Sequence, residues 1–200
     1  MRKKGTLLLI VLFMFSLVFP LTHTSAKAKA KVYPVHMNDS GTGEFSKKLK
    51  NGLSVGLEER DEWNYTPFIK KGKKKVWSLK YLSSTFGYMQ YTETKEKDTF
   101  LYYTEIAGGG ARTTIVGVHS NGKVFLKKGY TSGAGLDTKF LSANTIEVAI
   151  ERMKKNWDPG KEPNAEKYTD TWDVKKYSLS KNGKMKLVKK YVQKNRKTNY

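Results

Sequence analysis

Two copies of one tripeptide, Asn121-Gly122-Lys123 and Asn182-Gly183-Lys184, each lie between runs of apolar, β-branched and aromatic residues, and they constrain the fold more than any other feature. Asn-Gly is the strongest short-range hairpin signal, because a type I′ turn needs positive φ at both central positions. Two β-hairpins are therefore expected. Aligned on these turns, the chain repeats itself at an offset of 61 residues. Val116 and Val118 correspond to Tyr177 and Leu179 before the turn, and Leu126, Lys128 and Tyr130 correspond to Leu187, Lys189 and Tyr191 after it. Apolar residues recur at alternate positions, as one face of a strand requires. A fainter third copy centres on Lys71-Gly72-Lys73, with residues 66–69 before it and 76–81 after it.

Residues 99–106 and 145–150 read as strands that precede the two clear hairpins, so the expected unit is a three-stranded antiparallel meander. The stretch 144–157 carries two patterns. Ile146, Val148 and Ile150 alternate as in a strand, whereas Ile146, Ala149, Ile150, Met153 and Trp157 form a helical stripe, with Asn144 and Glu147 resembling a capping box. The repeat favours a strand at the start, followed by a short helical turn. The fold class is mainly β: an antiparallel meander of two or three hairpin-containing units, open or partly wrapped, with at most one short helix. Over roughly residues 99–194, the order of Gly-rich turn, strand, Asn-Gly hairpin and strand is similar to the blades of small secreted β-meander and propeller-like domains. That resemblance brings no motif with chemistry. Two or three units are also too few to close a propeller, for which about four blades is the usual minimum.

The amino-terminal residues set an expectation about location. Arg2, Lys3 and Lys4 precede an apolar run over 7–19 broken only by Ser16, and Ala26-Lys27-Ala28 supplies the small residues of a cleavage site. Residues 1–28 read as a secretory signal peptide, because an apolar run of about 13 residues is short of the roughly 20 that span a bilayer. Residues 29–43 read as a flexible basic and polar arm, 44–195 as a single β-rich domain and 196–200 as a tail. The mature chain is expected to be secreted or associated with a cell wall. It has no cysteine, which excludes both a disulfide framework and a lipidated cysteine. A lysine-rich signal on a cysteine-free exported chain resembles Gram-positive bacterial practice.

Charge points to a class of partner. The formal net charge is +20, and lysines outnumber arginines 33 to 5. Such a chain is drawn to polyanions, which at a bacterial surface means anionic wall polymers, anionic lipid surfaces and released nucleic acid. Lysine is a flexible point charge without the planar fork that arginine uses on phosphates and base edges, so non-specific, salt-sensitive attraction is expected. Lys70, Lys71, Lys73, Lys74 and Lys75 form the densest run and would sit at a hairpin tip. Trp63, Tyr65, Phe68, Trp77, Tyr81, Phe86, Tyr88 and Tyr91 are interleaved with these lysines. At alternating positions such aromatics read first as β core, with a sugar- or base-stacking surface as the other reading.

Signals for catalysis are sparse. Gly108-Gly109-Gly110-Ala111-Arg112 leads into a β-branched run rather than a helix, so it reads as a turn and not a phosphate loop. Glu105, Arg112 and His119 would serve a small nuclease as base, phosphorane-stabilising cation and acid, provided that they converge. There is no cysteine nucleophile and no usual zinc set. Asp158, Glu162, Asp170 and Asp173 gather oxygen ligands of the kind calcium takes, but without the spacing of a calcium loop. No cofactor is implied. The expected function is a non-catalytic binding module attracted to anionic cell-surface polymers. A secreted nuclease, or an inhibitor or toxin-like protein acting on another secreted macromolecule, are the alternatives.

Overall fold

In a computed structural model, which describes residues 33–36, 45–61, 64–79, 86–107, 110–153 and 168–198, the chain is built of antiparallel sheets with no helix among the described residues. The first sheet runs β2 (Phe45–Lys48), β3 (Leu53–Asp61), β4 (Asn64–Lys71) and β5 (Lys74–Ser78). The second runs β6 (Phe86–Glu93), β7 (Thr99–Ala107), β8 (Gly110–Val118) and β9 (Val124–Ser132), and β1 (Tyr33–His36) adds to β6 as a fifth strand. The third runs β10 (Leu136–Ser142), β11 (Thr145–Met153), β12 (Tyr168–Leu179) and β13 (Met185–Lys194). Each unit is thus a meander of four strands rather than three, and no sheet closes into a barrel. The ambiguous stretch forms strand β11 over its described part, because Ile146 and Val148 on one face and Ala149 on the other all enter packed clusters. Residues 1–28, expected to form a signal peptide, lie outside the described residues. Within the stretch expected to be an arm, Tyr33–His36 pairs with Tyr88–Tyr91.

The Asn-Gly hairpins are present with a different turn. His119 N donates to Lys123 O at 3.0 Å and Gly122 N to His119 O at 2.8 Å, and Ser180, Gly183 and Lys184 repeat the pattern at 3.1 Å. Gly122 and Gly183 have positive φ, at 89° and 78°, while Asn121 and Asn182 do not. These are three-residue loops ending in a left-handed residue, the bulged alternative to type I′. Leu49, Gly52 and Leu53 form the same loop around Asn51-Gly52, and Thr94, Lys97 and Asp98 form it with Lys97 in the left-handed position at φ 64°.

Alternation along the strands explains how the sheets stack. Met89, Tyr91, Leu101, Tyr103, Val116 and Val118 on one face of the second sheet pack against Leu53, Val55, Leu57, Ile69 and Trp77 of the first. Tyr88, Phe100, Tyr102, Ile115 and Leu126 on its other face pack against Leu136, Phe140, Ile146, Val148 and Leu179 of the third. The middle sheet is therefore apolar on both faces, and the molecule is a stack of three sheets with two cores. Side chains of β6 also hold β10 in place. Tyr88 OH donates to Leu136 O and accepts from Thr138 N, and Gln90 Oε1 accepts from Phe140 N. At the other end of the strands, Asn51 Nδ2 donates to Lys97 O and Thr99 Oγ1, tying a turn of the first sheet to the second.

Successive hairpin tips rest on the preceding sheet. A Cβ on Gly183 would come within 2.1 Å of Phe125 O, and one on Gly122 within 3.2 Å of Val76 and 3.3 Å of Lys71. Glycine is required at Gly183 by both its φ and this approach. The contacts place the last strand of every sheet, β5, β9 and β13, on one side of the stack.

Candidate functional site

These three edge strands and the turns that lead into them carry lysines and no carboxylates. Residues 71–78 contribute Lys71, Lys73, Lys74 and Lys75, and 119–132 contribute Lys123, Lys127 and Lys128. Residues 180–194 add Lys181, Lys184, Lys186, Lys189, Lys190 and Lys194. Every one of these side chains is exposed. Among the described residues only Lys75 of this set forms an ion pair, with Glu58. The chain's acids lie elsewhere. Glu105, Asp137 and Glu147 are buried in the sheets, and Glu58 and Asp173 are engaged by cations. Lysine on an edge strand discourages pairing with another sheet. Three such edges stacked side by side, at the usual sheet spacing of about 10 Å, also make a continuous cationic rim.

The lysine run singled out in the sequence divides into two parts. Lys71, Lys73 and Lys74 are exposed at the β4–β5 tip. Lys70 and Lys75 both bind Glu58, whose carboxyl they hold below its ordinary range through hydrogen bonds from Lys75 and then Lys70. Lys70 also lies over the Phe68 ring, 4.2 Å from its centroid. The interleaved aromatics are core: Phe68, Trp77, Tyr88 and Tyr91 are buried, and Tyr65 packs against them half-buried. Trp63 and Tyr81 lie outside the described residues. No aromatic side chain is exposed among those described.

Glu105, Arg112 and His119 do not come together. Glu105 and Arg112 face each other across β7 and β8, with Arg112 Nε 3.4 Å from Glu105 Oε1. His119 follows β8, seven residues beyond Arg112, which is about 20 Å along a strand. There its Nδ1 lies 2.7 Å from Asp98 Oδ1, and its ring stacks on Phe125 at 4.1 Å. Such a separation cannot bracket one scissile phosphate. Burial pushes the Glu105 carboxyl up, only partly opposed by Arg112, and its Oε2 has no hydrogen-bond partner. Of the acidic set, Asp158 and Glu162 lie outside the described residues. Asp173 is held by Arg152 through bonds of 2.7 and 3.0 Å, and Asp170 is exposed with φ 51°. Among the described residues no group of three or more ligating side chains could hold a metal ion.

One charged site was not visible in the sequence. Arg196, just after β13, turns back over the outer face of the third sheet and is almost wholly buried. Its Nε donates to Asp137 Oδ2 at 2.7 Å, its Nη2 to Glu147 Oε1 at 2.8 Å and its Nη1 to Gln193 Oε1 at 2.9 Å. Tyr191 OH donates to Glu147 Oε2 at 2.9 Å, and Lys139 and Lys176 stand 3.5 and 3.6 Å from that carboxylate. Burial opposes ionisation of Glu147, but the bonds from Arg196 and Tyr191 outweigh it and hold the carboxyl below its usual range. Ala149, Trp172 and Val174 pack beside this network. Its cations and anions satisfy one another, and it locks the end of the chain to the sheet.

Comparison with protein-family models, with curated proteins and with solved structures returns no match.

Proposed function

We propose that the chain is exported and acts as a non-catalytic binding module, held to anionic polymers of the cell surface through the lysine rim of β5, β9 and β13. The observation that carries this reading is the segregation of charge: three stacked edge strands with exposed lysines and no carboxylate among them. Exposed lysines at this density create a field that attracts a polyanion without reading its sequence, and the attraction weakens steeply with salt. Export is supported by the basic start, apolar run and small-residue site of residues 1–28.

The test is retention of the mature chain on immobilised inorganic polyphosphate under a salt gradient. The wild-type chain is expected to elute well after a variant carrying Lys71→Gln, Lys123→Gln, Lys127→Gln, Lys184→Gln and Lys186→Gln. Elution of both at the same salt concentration contradicts the reading.

A further inference from the structure

The rim contains two grooves, one on each side of β9, and they differ in a way that points to the ligand. Strand register assigns the residues. Lys127 pairs with Val116 and so faces the first sheet, where Lys71 and Lys74 pair with each other across the β4–β5 turn. Lys128 pairs with Ile115 and Tyr130 with Thr113, so both face the third sheet. Across from them, Lys175 pairs with Val148 on one side and Lys190 on the other, and Tyr177 pairs with Ile146 and Leu187. Each groove therefore presents three lysines, but only the second is floored by tyrosines. Tyr130 and Tyr177 are half-buried with ring centroids 6.2 Å apart, and burial followed by a hydrogen bond between their hydroxyls pushes the Tyr130 phenol up. Each phenol hydroxyl can donate one hydrogen bond and accept others, so the pair offers both donors and acceptors to a ligand. Leu187 and Val192, about half exposed, line the outer side of the same groove. Lys175 and Lys190 both act on Asp173, which places them together beside it.

We infer that the groove between β9 and β13 binds a phosphodiester-linked polyol or sugar chain. Lys128, Lys175 and Lys190 take its phosphates, the Tyr130 and Tyr177 hydroxyls take its hydroxyls, and Leu187 and Val192 contact its carbon backbone. This rests on the polyanion reading above and names the ligand class for one part of that surface. A single-stranded nucleic acid is the poorer fit. Base stacking needs exposed aromatic faces, and these two rings are tilted by 41° and turned on each other.

The experiment measures binding of the mature chain to poly(glycerol phosphate), to inorganic polyphosphate and to polythymidylate of matched charge, at several salt concentrations. Variants are K128Q/K175Q/K190Q, K71Q/K74Q/K127Q and Y130F/Y177F, each checked for an unchanged melting temperature. The first triple is expected to weaken poly(glycerol phosphate) binding at least tenfold and to lower the salt slope by about 2, from roughly 0.7 per phosphate contact. The second triple is expected to weaken it about threefold or less. Y130F/Y177F is expected to weaken poly(glycerol phosphate) several-fold and leave polyphosphate, which has no hydroxyls, unchanged. Equal losses in the two triples, or equal effects of Y130F/Y177F on both polymers, overturn the groove while leaving the polyanion reading in place. Tighter binding of polythymidylate overturns the ligand class. No binding of the wild-type chain to any of the three overturns the polyanion reading itself.

Discussion

The outer face of the third sheet and the rim of edge strands both carry dense positive charge, and they handle it in opposite ways. On the sheet face Arg196 is out of water and each hydrogen bond it makes ends on a buried or half-buried acceptor, Asp137, Glu147 or Gln193. On the rim, lysines are exposed and carboxylates are missing from the strands themselves. A buried cation with fixed partners holds structure, since removing it strands two buried anions. Exposed lysines contribute little to stability and remain available to a partner. The residue types follow the same division: arginine's rigid fork bridges two carboxylates, while lysine's flexible stem suits loose attraction.

The sharpest way to break this contrast is Arg196→Ala. It leaves Asp137 and Glu147 buried without their cation, and a loss of about 3–5 kcal/mol is expected in urea unfolding, with polyanion retention per folded molecule unchanged. A loss under 1 kcal/mol would show that the network does not hold the tail. Glu147 adds a pH signature. Its folded pKa is lowered, so its contribution is present above the unfolded value of about 4.3 and is lost as pH falls through the folded value. Acid unfolding of the wild-type chain should therefore steepen below about pH 4, and Glu147→Gln should flatten that limb.

Glu105 gives the opposite sign and a smaller effect. Burial raises its pKa, so the folded state holds the proton more tightly, and stability declines as pH rises from about 4.3 through the folded value. Glu105→Gln should remove that decline, read from urea midpoints between pH 4 and 8. An unchanged slope would contradict the burial argument. The smallest expected effect on stability is at the rim, where Lys127→Gln and Lys186→Gln should each stay within about 0.5 kcal/mol.

The hairpins could be read because Asn-Gly is a local signal, and a turn of either type puts the glycine's position at positive φ, which favours glycine. Asn51-Gly52 carries the same signal and closes β2–β3. The β6–β7 turn could not be read, because Lys97 in the left-handed position has no sequence mark. The repeat also slips by one residue between copies. A bulge falls between Gly117 and Val118 in one sheet but between Lys176 and Tyr177 in the other. Leu126 pairs with Gly117 and is buried, whereas its counterpart Leu187 pairs with Tyr177 and is half exposed. The Arg196 network was illegible for a different reason: its partners lie 59 and 49 residues away, and only the antiparallel pairing of β10 with β11 brings Asp137 beside Glu147. The lysine run at 70–75 was legible as charge, but its division by Glu58 depended on register between β3 and β4. The rim itself became visible only once strand order placed β5, β9 and β13 on one side.

Whether the lysine rim holds the protein to anionic surface polymers is best judged by co-sedimentation of the chain lacking residues 1–28 with purified Gram-positive cell walls. The walls are used before and after their phosphate polymers are stripped, across a salt titration. Attachment through the rim requires binding at low salt that falls steeply with ionic strength and disappears on stripping. Binding that survives both stripping and high salt, or no binding at low salt, would contradict it.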